Sequence, residues 1–299
     1  MYAAAFDYVR ASSWSEAVAQ LAELGDDAHV IAGGQSLVPM MMLRFAAPST
    51  LIDIGGVDER TIELRDDGTL VLSALVRHAD LEHSDIVAEH VPMLTQAVRQ
   101  IGNVRVRHRG TIGGSLAHGE PAAELPCVLI AHGARVHTLG PEGERTIAVN
   151  DLPVMQLMTA LHEGELITRV EIPTLADGQG SCFLEMARRP GDFAMVNAAA
   201  LVTCDDGGTC TAVRLVLGAV GNRPVDVSEE AQALVGHTID DANSEAVAGA
   251  IAAGAEVIPS SHAGIEYRRE MTGVQLARAL RGASADAHRR RRRGEAVRV

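Results

Sequence analysis

The stretch HVIAGGQSLVPMMMLRFAAPSTLIDI, residues 29–54, decides how the fold is read. Residues 29–32 form a short apolar run of strand length, and 51–54 form a second. Between them lie Gly33-Gly34, the polar pair Gln35-Ser36, and a Met-rich segment, 37–45, of short-helix character. Upstream, SWSE at 13–16 reads as a capping box, and Ala17, Val18, Leu21 and Leu24 follow at helical spacing before Gly25. The beginning of the chain therefore reads helix, strand, glycine turn, helix, strand, an α+β or α/β arrangement. An ordinary tight turn explains Gly33-Gly34, and so does a phosphate-bearing ligand seated on that turn.

At 299 residues the chain is long enough for two domains with well-buried cores. It is 47% hydrophobic but only 3% aromatic, so the core is aliphatic and closely packed. A formal charge of −13 argues against general nucleic-acid binding, which needs basic surface to displace counterions. No secretory signal opens the sequence and no apolar run reaches membrane-span length, so a cytoplasmic protein is expected. Cys127, Cys182, Cys204 and Cys210 form no CxxC pair and no metal-ligand cadence. They are expected to be reduced structural thiols, and the chain has no evident means of holding an iron–sulfur cluster itself.

Further along, residues 61–65 and 69–73 flank Asp66-Asp67-Gly68, a hairpin signal. Helical patterning covers 79–89, 93–101 and 122–132; strands are expected at 134–139 and 166–172, with a surface loop at 141–144. The linker-like ADGQGS, 176–181, sets a domain boundary near 177, and the first domain divides into subdomains of about 1–57 and 58–177. Beyond it, 182–188, 195–204 and 211–220 read as an antiparallel meander. Helices follow at 228–235, 242–255 and 269–281, which makes 178–283 a separate α+β domain. The tail 284–299 contains five consecutive arginines, 289–293, lacks apolar periodicity and is expected to be disordered.

With 29 glycines, roughly three Gly-Gly pairs are expected by chance, so the four at 33-34, 55-56, 113-114 and 207-208 carry meaning only in context. The pairs at 55 and 207 read as turns. The other two share a longer pattern, an apolar residue, Gly-Gly, then serine within two positions: Ile31-Ala32-Gly33-Gly34-Gln35-Ser36 and Thr111-Ile112-Gly113-Gly114-Ser115. Glycine lets successive backbone N–H groups converge on an anion, and a serine hydroxyl adds a donor. Two such nests would clamp a pyrophosphate; two structural turns remain the alternative. No Walker lysine and no GxGxxG opening a helix is present, which argues against a P-loop or a Rossmann site.

The residues also resemble a known family. AGGQSLVPMMMLRFAAPSTLIDI (32–54) and RGTIGGSLAHGEPAAELP (109–126) are similar to the FAD-binding subunits of the molybdenum hydroxylases, the carbon monoxide dehydrogenase and xanthine dehydrogenase type. The likeness continues through FLEMARRPGDFAMVNAAALV (183–202), LGAVGNRPV (217–225) and GIEYRREMTGVQLARAL (264–280), covering about residues 1–283. It implies an α+β fold: an FAD-binding domain of the vanillyl-alcohol-oxidase type in two subdomains, then a three-stranded antiparallel sheet with helices. It implies that Ala32, Gly33, Gly34, Gln35, Ser36 and Leu37, with Thr111, Ile112, Gly113, Gly114 and Ser115, hold the FAD pyrophosphate and ribityl chain. Glu124 takes the position of an acid, commonly Asp, near the flavin end; Asp192 and Phe193 match an element approaching the isoalloxazine, and Leu166 and Ile167 an apolar strand beside it. Two departures stand out: Ser115 replaces a frequent Asn, and Glu185 occupies the place of a frequent Lys, so a lysine contact is not carried over.

By the same resemblance, substrate oxidation takes place on a large molybdenum-cofactor subunit, and two [2Fe–2S] clusters on a small subunit feed electrons to FAD here. The flavin passes them to an external acceptor such as NAD⁺, a quinone or oxygen, and the assembly is expected to be a dimer of heterotrimers. No residue of this chain is expected to act as a catalytic acid or base. A stand-alone flavin oxidase of this fold would need its own substrate cavity and base, for which the sequence offers no convincing candidate. A non-enzymatic relative would be expected to lose glycines from one loop, and both are intact.

Other candidates have plainer explanations. His78 and His83, and His132 and His137, are five apart rather than at i, i+4, and no metal site is expected. His118 either touches the ribityl chain or lines its loop. Arg105, Arg107 and Arg109 alternate like a strand face that balances pyrophosphate charge or faces solvent or a subunit. Met40–Met42 reads as core packing, and no GxSxG elbow supports hydrolysis. A bulky residue at Gly33 or Gly114 is expected to abolish flavin binding and leave the chain folded.

Overall fold

The computed structural model describes residues 2–57 and 59–297, and side chains as far as residue 292. It opens with β1 (Asp7–Arg10), α1 (Trp14–Leu24), β2 (Ala28–Ile31), α2 (Leu37–Met42) and β3 (Thr50–Asp53). The three strands form a parallel sheet in the order β1-β3-β2. Trp14, Ala17 and Val18 of α1 are buried. The cap of α1 differs from the expected box. Ser13 Oγ accepts from Glu16 N at 3.1 Å, but the Glu16 carboxylate turns to Ser12, accepting from its N at 2.8 Å and its Oγ at 2.7 Å.

β4 (Ile62–Leu64) and β5 (Thr69–Ser73) form the expected hairpin. Asp67 Oδ1 accepts from Thr69 N at 2.9 Å, and Gly68 takes φ +79°. Then come α3 (His78–His83), α4 (Asp85–His90), α5 (Pro92–Val98), α6 (Val104–Arg109), α7 (Ile112–His118) and α8 (Glu124–His132). Residues 79–89 are two helices rather than one. Ser84 ends α3 and caps α4, its hydroxyl accepting from Val87 N at 3.3 Å. The arginines at 105, 107 and 109 lie on a helix and not a strand, because Asn103 Oδ1 caps the N–H groups of Arg105 (2.9 Å) and Val106 (3.3 Å). Every residue of α8 is buried.

β6 (Arg135–Gly140), β7 (Gly143–Ala148), β8 (Pro153–Met155), β9 (Met158–Thr159) and β10 (Leu166–Pro173) follow. A five-stranded antiparallel sheet results, ordered β4-β5-β10-β6-β7, with β8 and β9 a separate small hairpin. Beyond the linker, β11 (Gln179–Met186), β12 (Val196–Cys204), β13 (Cys210–Gly218) and β14 (Val225–Asp226) form an antiparallel sheet. The expected meander therefore gains a short fourth strand. The stretch expected as a helix at 228–235 is a 3₁₀ turn, Glu230–Leu234, and α9 (Asp241–Gly254) and α10 (Ile265–Val297) complete the chain. Among the described residues no helix is long and apolar enough to cross a membrane.

This last sheet has apolar matter on both faces. Side chains of β12 alternate, Ala199 and Leu201 entering the core shared with the preceding region, Ala198, Ala200 and Val202 entering a second core under α9 and α10. Phe183 of β11 joins the first core.

The tail does not match the expected disorder. α10 continues beyond residue 283 through all the described tail, because its small face is needed. Ala283 and Ala287 are buried against Gly180 of β11, where the helix backbone comes so close that a Cβ at 180 would lie 2.8 Å from Ala287 Cα. Several arginines of the run are engaged: Arg289 and Arg290 each reach Asp286 at 3.2 Å, Arg290 donates to Glu89 O at 3.1 Å, and Arg291 pairs with Asp206 and donates to Cys204 O. Gly180→Val should therefore prise the helix from the sheet, costing about 1–3 kcal/mol of stability in a denaturant titration; an unchanged midpoint would show that the tail contributes no packing.

Candidate functional site

β2 delivers the chain to the first glycine pair at the edge of the parallel sheet. Gly34 takes φ +70°, in the left-handed region, and Gln35 Nε2 donates to Gly33 O at 3.1 Å, closing the turn before α2. Gly33 is pressed against the backbone at the end of α6. A Cβ there would overlap Arg109 O and lie 2.8 Å from Gly110 Cα. The Arg77 guanidinium holds that carbonyl from the other side, donating to Arg109 O. Two segments far apart in sequence are thus locked side by side.

They border a cavity of about 630 Å³, within the usual range for a ligand site. Ala32, Gly33, Gly34, Gln35, Ser36 and Leu37 line it, as do Thr111, Gly113, Gly114, Ser115 and His118. So do Glu124 from the start of α8, Leu166 and Ile167 from β10, and Asp192 and Phe193 from the turn after β11. Gly191 takes φ +83° against Gly102, which carries this last turn onto the cavity, and Phe193 at its lip is 73% exposed. Ile112 is the exception among the expected residues. It is fully buried and does not line the cavity, because it opens α7 with its side chain in the core.

The two glycine pairs differ in their hydrogen bonding. In the first, the N–H groups of Gly33, Gly34, Gln35, Ser36 and Leu37 have no acceptor among the described residues. Five donors at one wall are an anion-binding surface. The second was expected to be a matching nest, and it is not. Ile112 N donates to Val76 O (3.1 Å), Gly113 N to Ala74 O (2.9 Å), Gly114 N to Thr111 Oγ1 (3.1 Å) and Ser115 N to Thr111 O (3.0 Å). The segment is the capped first turn of α7, and its donors are already used. What its glycines contribute is room. A Cβ at 113 would lie 2.6 Å from that of Ala74, whereas at exposed Gly114 it would meet only the Thr111 hydroxyl, at 2.8 Å.

Sequence reasoning missed several lining groups. His78 is buried, its Nδ1 has no partner, and burial, helped by Arg77 and Arg107, lowers its pKa to about 4, so it is neutral. Burial also lowers His118. Burial alone would raise Glu165, but hydrogen bonds from Arg145 (2.6 Å to Oε2), Thr138 and His162 N (2.7 Å) outweigh it and hold the carboxylate at about 2. Glu124 and Glu185 of β11 influence one another: burial pushes both carboxyls up, and the charge of Glu124 adds to the rise at Glu185. No periodic or motif signal marks His78 or Glu165.

Among the described residues no arginine lines the cavity. Arg107 instead pairs with Glu82 at 2.7 Å and donates to Ile101 O, so a pyrophosphate-balancing stripe at 105–109 is not formed. The remaining glycine pairs are turns: Asp53 Oδ1 accepts from Gly55 N at 2.7 Å, and Asp205 Oδ1 from Gly207 N at 2.9 Å. All four cysteines are free, and among the described residues no cluster of ligating side chains could hold a metal.

Residues 4–175 match the family described as the FAD binding domain in molybdopterin dehydrogenase, and 181–283 match the CO dehydrogenase flavoprotein C-terminal domain. The chain is 39% identical to the 6-hydroxypseudooxynicotine dehydrogenase complex subunit alpha of Paenarthrobacter nicotinovorans, over 92% of this chain and 93% of that one. It is 35% identical to the carbon monoxide dehydrogenase medium chain of Afipia carboxidovorans, over 96% and 99%. Among solved structures it resembles quinoline 2-oxidoreductase from Pseudomonas putida 86, with a TM-score of 0.91 and 35% identity over 96% of this chain and 99% of the other.

The glycines at 33 and 114 should therefore behave differently, contrary to the expectation that both leave the chain intact. Gly33→Ala should cost about 1–3 kcal/mol by driving the two segments apart, while Gly114→Ala should stay within about 1 kcal/mol of the parent; chemical denaturation of both variants decides. Glu165 gives a pH test. Its carboxyl titrates at about 2 when folded against an ordinary 4.5. The unfolded chain binds more protons between these values, so stability is lost as pH falls through that window. Glu165→Gln should flatten the acid limb of a plot of Tm against pH.

Proposed function

Because the chain belongs to the FAD-binding medium subunits of the molybdenum hydroxylases, and is thus an oxidoreductase subunit, we propose that its cavity holds FAD for electron transfer and leaves substrate chemistry to a partner. The observation that carries this reading is the row of unpaired N–H groups from Gly33 to Leu37. They would take the diphosphate oxygens without any arginine, with the hydroxyls of Ser36 and Ser115 beside them. Thr111, Gly113 and Gly114 would give the ribityl chain space and His118 would border it. Leu166 and Ile167 would form an apolar wall for the ring system, with Asp192, Phe193 and Glu124 around its edge. Buried Ile112 would act by packing alone.

When bound, FAD supplies the capacity to accept electrons singly and pass them on; the chain orients and tunes it. Electrons would arrive from two [2Fe–2S] clusters of a small partner subunit and leave to an external acceptor, while a large molybdenum-cofactor subunit oxidises the substrate. Relatives named as a medium chain or as a subunit of a dehydrogenase complex support an assembly with partners. The same reading gives the FAD-binding domain residues up to about 177, in subdomains meeting near 57, and the C-terminal domain 178–283.

The test is to purify the chain alone and with its co-expressed partners, release the cofactor with acid and identify it. Stoichiometric FAD is expected, and Gly114→Leu should lose it while remaining folded by circular dichroism. Absence of FAD from both preparations would overturn the reading.

A further inference from the structure

Glu124 in the cavity wall and Glu185 behind it have an unexplained arrangement of acceptors. Glu185 lies directly opposite Asn197 in the β11–β12 register, on the sheet face turned toward α8. Asn197 Nδ2 donates to the carbonyls of Ala122 (3.2 Å) and Ala123 (3.4 Å), the two residues that lead into Glu124. Three polar side chains thereby converge at the start of α8. Yet Asn197 Oδ1 and Glu185 Oε2 are buried and have no donor. Buried acceptors of this kind are costly unless a donor is supplied, and a hydrogen bond between two carboxyl groups requires a proton on one of them.

Among the described residues, no neighbouring charged group supplies a donor. α5 carries no titratable side chain, and β12 brings only Asn197 to this end of the sheet. His118 and Glu120 end the α7 segment, Arg188, Arg189 and Asp192 belong to the turn after β11, and Cys127 is one turn further along α8. Arg188 is paired with Asp192 at 3.3 Å, Arg214 of β13 is held by Ile130 O and Asp226, and Arg268 of α10 donates to Met195 and Ala219 carbonyls. None of these groups perturbs either carboxyl, whose one side-chain partner is the other.

We propose that Glu124, in the cavity wall, and Glu185, behind it, are a proton-sharing acid pair, so that negative charge gained by a bound cofactor would be offset by proton uptake at the pair. This rests on the reading that the cavity holds FAD. The balance is simple: electrons from an external reductant would enter the cofactor, and one proton given up by a buffer acid, whose conjugate base returns to solvent, would convert the remaining carboxylate to a carboxylic acid. The two residues are positioning and tuning groups; neither needs to touch a substrate.

The test uses the full chain labelled with side-chain carboxyl ¹³C-glutamate, titrated by NMR with and without FAD, with flavin absorbance read on the same samples. In the parent, one of the two assigned carboxyls should still carry a proton near neutral pH. Glu124→Gln should increase the acidity of Glu185 by about tenfold or more, a pH unit, and Glu185→Lys should leave Glu124 ionised throughout the neutral range. FAD should shift the Glu124 resonance. Photoreduction in weak buffer with an indicator dye should take up more protons in the parent than in either variant. Ionisation of both parental carboxyls below the neutral range would overturn the pair. Flavin visibly bound without shifting Glu124, or equal proton uptake in parent and variants, would overturn its coupling to the cofactor. A chain that binds no flavin would instead sink the FAD reading, and the cofactor-free titration would still decide whether the pair shares a proton.

Discussion

The close approach of Gly33 to the Arg109–Gly110 backbone is the constraint on which the site depends. The first glycine turn closes the parallel sheet, and the α6–α7 junction belongs to the helices packed on the antiparallel sheet. Nothing larger than hydrogen fits between them at residue 33. With that gap closed, the unpaired N–H groups of one unit face the capped helix of the other across a single cavity. Arg77, buried and pointing at the same carbonyl, takes the outer side of the junction and leaves the cavity free of arginine. A donor surface of neutral backbone dipoles suits a buried cavity, because no fixed cation has to be desolvated there.

Much of this was legible in the residues. Strands at 29–32 and 51–54, the hairpin at Asp66-Asp67-Gly68 and the long alternating strands after 180 follow from short-range periodicity and turn chemistry, and they formed where expected. The misses share a cause. Alternation at 105–109 looked like a strand because the Asn103 cap is a local hydrogen bond that periodicity does not register. The tail looked disordered because its contact is made by alanine and glycine meeting backbone to backbone, with no stripe of large apolar side chains to mark the buried face. The second glycine pair looked like a nest because spacing alone does not reveal that the Ala74 and Val76 carbonyls and the Thr111 cap already occupy its N–H groups.

Glu185 illustrates how a departure from pattern acquires meaning only in three dimensions. In the sequence it was one residue of unexpected sign. In the fold it stands across from Asn197 and against Glu124, three groups drawn from two domains. The electrostatics of the cavity are therefore set jointly by both halves of the chain. The FAD-binding region supplies the N–H surface and Glu124, and the C-terminal region supplies the Phe193 turn and, behind the wall, Glu185.

The sheet built on β12 has a consequence for how the molecule comes apart. Since its side chains alternate between two cores, removing either layer would strand apolar surface from the same strand. Fragments divided at the linker would leave the whole sheet on the C-terminal piece with one apolar face bared. The helices that cover that face would be bared on the other piece, so the two would be expected to lose structure together. Such a chain is expected to unfold as one cooperative unit despite its two-domain plan, with β12, covered on both faces, among its best-protected strands.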